Sequence, residues 1–289
     1  MDLQGTVIRP PSEAGSILLQ VSLGCTHGKC AFCGAYLDKP FAIKDRQTVS
    51  ADIEFAAARC RGIRKVFLCD GDALSLPQKR LEGILGEIQE KLPWVTRVAA
   101  YGNARGLRRK SDAELRRLRR LGLGKVYMGL ESGDDVTLAV MNKKSTAVSM
   151  VEQGQRAVAA GFNLNVTVIN GLAGVERSLV HARETARILN LMQPHQVAAL
   201  SLMLVPGTPL HRRWQSGEFV LPDARGMLVE LREMVAGLEL KKGLFLANHA
   251  SNYLPVRARL PRDKARTLLA LDAALDGELA LKPEGLRGL

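Results

Sequence analysis

Apolar and polar positions along this chain alternate between two regimes. Short apolar runs bounded by Gly, Asn or Asp occupy residues 16–23, 65–69, 97–101, 125–130, 163–169 and 196–205, and each reads as a buried strand. Between them, residues 50–61, 77–92, 112–121, 146–160 and 178–191 carry apolar side chains at helical spacing. Pro77 at a helix start, Ser111 with Glu114 as a capping box and Gly161 after the fourth helix supply boundaries. Six strands alternating with helices predict a parallel sheet whose ligands gather at the strands' C-terminal ends. Six units fall short of a closed eight-fold barrel. The expected fold is therefore α/β, a partial (β/α)6 TIM-like barrel over residues 13–210. Past Pro209 the pattern changes: 224–238 reads as a helix, 243–247 as one more strand and 262–275 as a last amphipathic helix. Residues 211–289 are expected to form a C-terminal α/β extension packed on the barrel, not a domain of its own.

Composition narrows the setting. A chain of 289 residues with 46% hydrophobic content can bury a full core. No apolar run approaches the ~18 residues of a membrane span, and the first residues lack the basic and apolar regions of a secretory signal. A cytoplasmic location without membrane attachment is the expectation, and its reducing conditions suit thiolates. The net charge of +12 is uneven. Arg105, Arg108, Arg109, Lys110, Arg116, Arg117, Arg119 and Arg120 crowd one stretch, which favours a polyanion such as RNA or an acidic small molecule. No aromatic side chain in that stretch is available to stack bases.

The densest chemistry lies on the loop leaving the first strand: Gly24-Cys25-Thr26-His27-Gly28-Lys29-Cys30-Ala31-Phe32-Cys33-Gly34. Three of the five cysteines fall within nine residues, and three thiolates so close need a cation to neutralise them. With His27 they could make a closed Cys3His zinc site. Without it, Cys25, Cys30 and Cys33 could hold a [4Fe-4S] cluster with one iron left open. Cys60 and Cys69 read as small buried hydrophobes. At the second strand's end, Asp70-Gly71-Asp72-Ala73 combines a glycine that permits close approach with a carboxylate able to accept from an ammonium. Glu131 ends the fourth strand, where a carboxylate can pair with both hydroxyls of a ribose. The polar run Asn248-His249-Ala250-Ser251-Asn252-Tyr253 would suit a segment at the barrel mouth, with His249 or Tyr253 exchanging a proton.

A three-cysteine loop after a first strand resembles the radical S-adenosylmethionine (SAM) superfamily, although four residues here separate the first two cysteines where three are usual. The resemblance implies that Phe32, just before the last cysteine, lies against adenine. It implies that Gly71 and Asp72 hold the SAM amino group, where the superfamily often has Gly-Gly-Glu, and it adds Asn103 after the third strand to the cofactor contacts. Gly129-Leu130-Glu131-Ser132 resembles the Gly-Val-Gln-Ser of oxygen-independent coproporphyrinogen oxidases and elongator-type enzymes, implying a SAM contact at Glu131. Twelve residues on, Lys143 stands where those enzymes carry an arginine for the SAM carboxylate. Thr167 takes the place of Asp in their Asp-Leu-Ile-x-Gly-Leu-Pro-Gly, and Pro206-Gly207-Thr208-Pro209-Leu210 matches their sixth strand end.

What this implies is an iron-sulfur enzyme that reductively cleaves SAM to methionine and a 5′-deoxyadenosyl radical, which takes hydrogen from an unactivated carbon. A low-potential electron donor of flavodoxin or ferredoxin type is implied with it. The substrate, a small molecule or a nucleic acid such as tRNA, is not legible. The absence of a cobalamin-binding segment or further cysteine clusters speaks against the methylase and peptide-maturing branches. A zinc-stabilised RNA-binding protein using the basic 105–120 face is the alternative from another class.

Overall fold

The computed structural model describes residues 1–288. Ten strands appear in chain order: β1 (Ile17–Gln20), β2 (Ser22–Leu23), β3 (Ala42–Ile43), β4 (Lys65–Cys69), β5 (Arg97–Tyr101), β6 (Leu123–Glu131), β7 (Asn163–Asn170), β8 (Gln196–Ser201), β9 (Gly243–Ala247) and β10 (Val256–Leu260). β2 and β3 form a small antiparallel pair. The other eight belong to one sheet in the order β1-β4-β5-β6-β7-β8-β9-β10. The β1–β4, β4–β5, β5–β6, β7–β8 and β8–β9 pairs are parallel and β9–β10 is antiparallel. The expected α/β class, mostly parallel, is what the chain adopts.

By internal contacts the chain divides into two compact units. The first comprises Met1–Gly28, Ala35–Met128 and Arg156–Leu164. Its strands bury Phe67, Cys69, Ala99 and Tyr127 together, with the Phe67 and Tyr101 rings edge to face at 5.1 Å. The fully buried Glu13 carboxylate is satisfied by Arg97 Nη2 at 2.7 and 2.8 Å and by the Tyr127 hydroxyl at 2.5 Å. The helix Gln78–Lys91 turns Leu81, Ile84, Leu85 and Ile88 inward. The helix Asp112–Arg120 starts at the expected capping box: Ser111 Oγ accepts from Glu114 N, and Glu114 Oε2 from Ser111 N. Part of its basic run is used internally. Arg117 pairs with Glu82, Arg119 Nε donates to Gly161 O, and the buried Lys110 donates to Leu76 O.

The second unit holds Lys29–Gly34, Gly129–Gln155 and the chain from Asn165 onward. Here β9 lies in the sheet beside β8, so the extension continues the sheet as well as adding helices to it. The helix Ala224–Gly237 packs on both Gly174–Met192 and Lys264–Leu275. The last residue of the expected extension, Leu289, lies outside the described residues. Three expectations shift. The apolar run 16–23, expected as one strand, divides at Val21 into β1 in the main sheet and β2 paired with β3. The sixth strand was expected to reach residue 205 but stops at Ser201, because Arg287 Nη2 takes the Leu202 carbonyl at 2.9 Å and Thr208 folds back onto Val205 O. Strand β10 was not expected; Val256, Ala258 and Leu260 face inward while Arg257 and Arg259 are exposed, a charged edge.

Candidate functional site

In the first unit, the ends of β4 and β5 organise the start of the cysteine loop. Gly24 sits at φ +64, and a Cβ there would come within 2.7 Å of Lys39 O, so only glycine lets the chain turn. Its N–H donates to Asp70 Oδ2 at 3.1 Å, and its carbonyl accepts from Gly71 N at 3.1 Å. The same Asp70 oxygen receives Lys39 Nζ at 2.7 Å and Gln20 Nε2 at 3.1 Å. A Cβ on Gly71 would lie 2.8 Å from Tyr36 Cε2 and 3.1 Å from Cys25 Cβ. Gly71 thus provides the close approach expected of it, and what approaches is the loop carrying Cys25.

Asp72 is placed differently from the expectation. Its side chain is fully buried and accepts from Thr26 Oγ1 at 2.9 Å, Asn103 Nδ2 at 2.7 Å, Asn103 N at 3.3 Å and the Ser75 hydroxyl. Burial pushes its carboxyl upward, while the Ser75, Thr26 and Asn103 bonds work the other way. Donors from its own chain occupy the group that was to receive an ammonium. Asn103 also caps the helix Ala104–Arg108, its Oδ1 accepting from Gly106 N at 2.8 Å.

In the second unit, the segment carrying Cys30, Phe32 and Cys33 is held by two others. Ala31 N donates to Met141 O at 2.9 Å, Asn142 Nδ2 to Lys29 O at 2.8 Å, and Leu210 N to Ala31 O at 2.8 Å. A Cβ on Gly34 would lie 2.5 Å from Val205 Cγ1. Cys30, Phe32 and Cys33 are half-buried. Glu131 ends β6 in the left-handed region at φ 64, a strained conformation for a non-glycine residue and one found at ligand-binding turns. Its Oε1 pairs with Lys143 Nζ at 2.9 Å. A Cβ on Gly129 would fall 2.0 Å from that Oε1, so the glycine makes room for the pair. Burial by itself would push the Lys143 ammonium down, but Glu131, Cys30 and Cys33 outweigh it and the net direction is up. Thr167 is half-buried in β7 opposite Ala198.

Sequence reasoning missed Asp70, Thr26 and Asn142. Asp70 stood in the motif beside Gly71; Thr26 and Asn142 gave no signal beyond their neighbours. The proton-exchange reading of Tyr253 is corrected. Its hydroxyl bonds Glu284, Arg287 Nη1 donates to it at 2.6 Å, and the guanidinium lies 4.2 Å over the ring. Burial, then Glu284, push that phenol up to about 12, so it is a fixed structural group. His249 Nδ1 closes a local turn with Ser251 at 2.9 Å. Cys69 is the buried hydrophobe expected, whereas Cys60 is half-exposed at a helix end.

None of the five cysteines is in a disulfide. Among the described residues, no three His, Cys, Asp or Glu side chains are drawn together for a metal ion. The donor set nevertheless suits an iron-sulfur cluster: three thiols on one loop, a glycine packed on Cys25 Cβ, and a half-buried ammonium whose charge two of the thiols favour. Among the described residues no helix is long and apolar enough to cross a membrane.

Comparison with known proteins supplies the remaining support. No curated protein matches the chain. Solved structures do match in fold. Methylornithine synthase is 16% identical with a TM-score of 0.54, covering 76% of this chain and 62% of its own. Coproporphyrinogen III oxidase from Escherichia coli, a radical SAM enzyme, is 16% identical with a TM-score of 0.55, covering 77% and 53%. The radical SAM methyltransferase TsrM from Kitasatospora setae is 16% identical with a TM-score of 0.54, covering 92% and 54%. The chain therefore spans between about half and three-fifths of these proteins, and at such identity the likeness speaks to fold alone. Family membership comes from the sequence model of the radical SAM superfamily, which matches residues 19–185, more than half of the chain and the whole stretch from the cysteine loop to the turn after β7. On that match over more than half of its length, the chain belongs to the radical SAM superfamily.

Proposed function

We propose that this protein is a radical SAM enzyme in which Cys25, Cys30 and Cys33 hold a [4Fe-4S] cluster. When bound and reduced, the cluster supplies the electron that splits SAM to methionine and a 5′-deoxyadenosyl radical, for hydrogen abstraction from a substrate carbon. The observation that carries this reading is the Glu131–Lys143 pair, a half-buried cation whose charge is favoured by Glu131, Cys30 and Cys33. A SAM carboxylate would take the Lys143 ammonium and leave Glu131 for the ribose or amino group. Lysine keeps the charge of the arginine in similar enzymes but gives up its bidentate fork. Phe32 would cover the adenine and Thr167 would contribute from β7. Gly71, Asp72 and Asn103 serve the cofactor by fixing the loop around Cys25 and Thr26.

Residues 13–210 would form the catalytic core and 211–289 the extension that completes it. A low-potential protein donor would supply the electron, in a reducing compartment such as the cytoplasm, to an enzyme acting on a small molecule or a nucleic acid. The test is anaerobic reconstitution. A brown protein with equal iron and sulfide that forms 5′-deoxyadenosine from SAM under dithionite is the expected result. A colourless protein with one zinc per chain and no SAM cleavage would overturn it.

A further inference from the structure

Behind the ends of β6 and β7, within the second unit, runs a chain of sealed polar groups. Ser132 Oγ lies 2.7 Å from His181 Nδ1, and His181 Nε2 lies 3.1 Å from Ile169 O and 3.4 Å from Glu230 Oε1. Glu230 Oε1 accepts the Gly171 N–H at 2.6 Å and Oε2 accepts the Ser178 hydroxyl at 2.5 Å. Hydroxyl, imidazole and carboxylate in a row are the parts of a hydrolytic nucleophile, but Ser132, His181 and Glu230 are each 0% exposed, so no substrate meets them. The ring nitrogen facing two acceptors, Nε2, must carry the proton, which leaves Nδ1 to accept from Ser132. Ser132 in turn accepts Asp134 N at 3.0 Å. Every group in the chain is used in holding backbone.

What it holds are two strand-end turns. Ser132 directly follows Glu131. Ile169 and Gly171 flank the end of β7, two and four residues past Thr167. The far anchor comes from the C-terminal extension, on the helix Ala224–Gly237. One helical turn before Glu230, Met227 presses on the same peptide: a Cβ on Gly171, at φ +81, would lie 2.3 Å from Met227 Cε. Among the described residues no Lys or Arg pairs with Glu230. A buried carboxylate without a cation is costly, and an apolar residue would pack there more cheaply. Its two oxygens instead satisfy the β7 turn and the helix that follows.

We infer that Glu230 is a positioning residue for SAM binding: from the extension, it sets the β7 turn directly and the Glu131 turn through His181 and Ser132. This rests on the proposed function above, in which those turns contact SAM.

The test compares SAM dissociation constants by anaerobic titration of the reconstituted full chain, with iron content checked in each variant. Glu230→Leu removes the acceptor and is expected to weaken SAM binding about tenfold, with iron unchanged, in line with a buried donor left without its acceptor. Glu230→Gln keeps an acceptor for Gly171 and a partner for Ser178, and should restore affinity to within about threefold. Met234→Ala, fully buried one helical turn beyond Glu230 on the same helix, should lower thermal stability without moving SAM affinity. Wild-type affinity in Glu230→Leu overturns the inference, as does an equal loss in Met234→Ala. Should Glu230→Leu fail to fold, Glu230→Asp reads the same contact, since a shortened carboxylate withdraws from Gly171; wild-type affinity there overturns it equally. Lys143→Ala separates the two levels. If it weakens SAM while Glu230→Leu does not, only the positioning role fails. If neither variant changes affinity, the SAM-contact reading itself falls.

Discussion

The Asp72 carboxylate accepts the hydroxyl of Thr26 at 2.9 Å, which ties the end of β4 to the residue that follows Cys25. Asn103 Nδ2 reaches both partners, at 2.7 Å to Asp72 and 3.3 Å to Thr26, so three residues from three parts of the sequence meet at one oxygen-rich point. A carboxylate in that position shapes the cysteine loop before any ligand arrives.

Asp72→Ala is accordingly expected to affect the cluster first. The half-buried Thr26 and Asn103 donors would lose their acceptor, at about 1 kcal/mol each, and the loop would loosen. Iron content after reconstitution, measured per chain, should fall well below wild type, and SAM affinity should fall with it. Full iron occupancy with weakened SAM binding alone would show instead that Asp72 meets the ligand directly.

Lys143→Ala should weaken SAM binding about ten- to a hundredfold with iron retained, since a charge-assisted contact is worth roughly 1.5–3 kcal/mol. Gly129→Ala should reproduce much of that loss without touching either charge, because its new methyl would fall 2.0 Å from Glu131 Oε1 and 3.2 Å from Lys143 Nζ. Calorimetric titration of SAM into both reconstituted variants checks this. Unchanged affinity in Gly129→Ala would mean that the pair relaxes freely.

The cysteines divide by environment. Burial pushes the Cys69 thiol up to about 12, so it stays protonated and sealed. Iodoacetamide at pH 8 on the native apoprotein should spare Cys69 and label Cys25, Cys30 and Cys33, as read by peptide mass spectrometry. Alanine at any of those three should abolish iron binding, and Cys69→Ala should leave it intact. Loss of iron in Cys69→Ala would undo the ligand assignment.

Stability against pH offers a measurement independent of cofactors. Burial raises Glu230 to about 7, and it lowers His181 to about 4. As pH climbs from 4.5 to 7, the unfolded chain ionises Glu230 while the folded chain keeps it protonated, so stability is lost. As pH drops from 6.5 to 4, the unfolded chain protonates His181 while the folded chain does not, and stability is lost again. The two slopes oppose each other between 4.5 and 6.5. Glu230→Gln removes one, so its stability relative to wild type should rise by about 3 kcal/mol between pH 4.5 and 7, measured by urea denaturation at each pH. A pH-independent difference would show that Glu230 ionises normally.

Strands with apolar runs cleanly bounded by polar or glycine residues were legible to the residue: β4, β5 and β9 match their expected limits. Strand β10 was hidden because three of its five side chains are edge arginines and an alanine, with proline on either side. The sixth strand overran because Met203, Leu204 and Val205 are apolar, while Arg287, which takes the Leu202 carbonyl, lies 85 residues further along the chain. At the site, residue type and place at a strand end were readable from local sequence. The direction of a carboxylate was not: Asp72 turns inward because donors from two other loops reach it first. Glu230 gave no signal at all, since a glutamate in an amphipathic helix reads as solvent-facing.

Gly34 and Val205 touch so closely that Gly34 cannot gain a side chain while Val205 keeps its branch. Any side chain at 34 collides with the branched methyls at 205, and the collision falls on the segment carrying Cys30 and Cys33. Over generations, 34 can gain bulk only where 205 has surrendered it. A family tree of this protein should therefore show the pair changing on the same branches, an inherited bond between two sites that exchange no hydrogen bond and no charge.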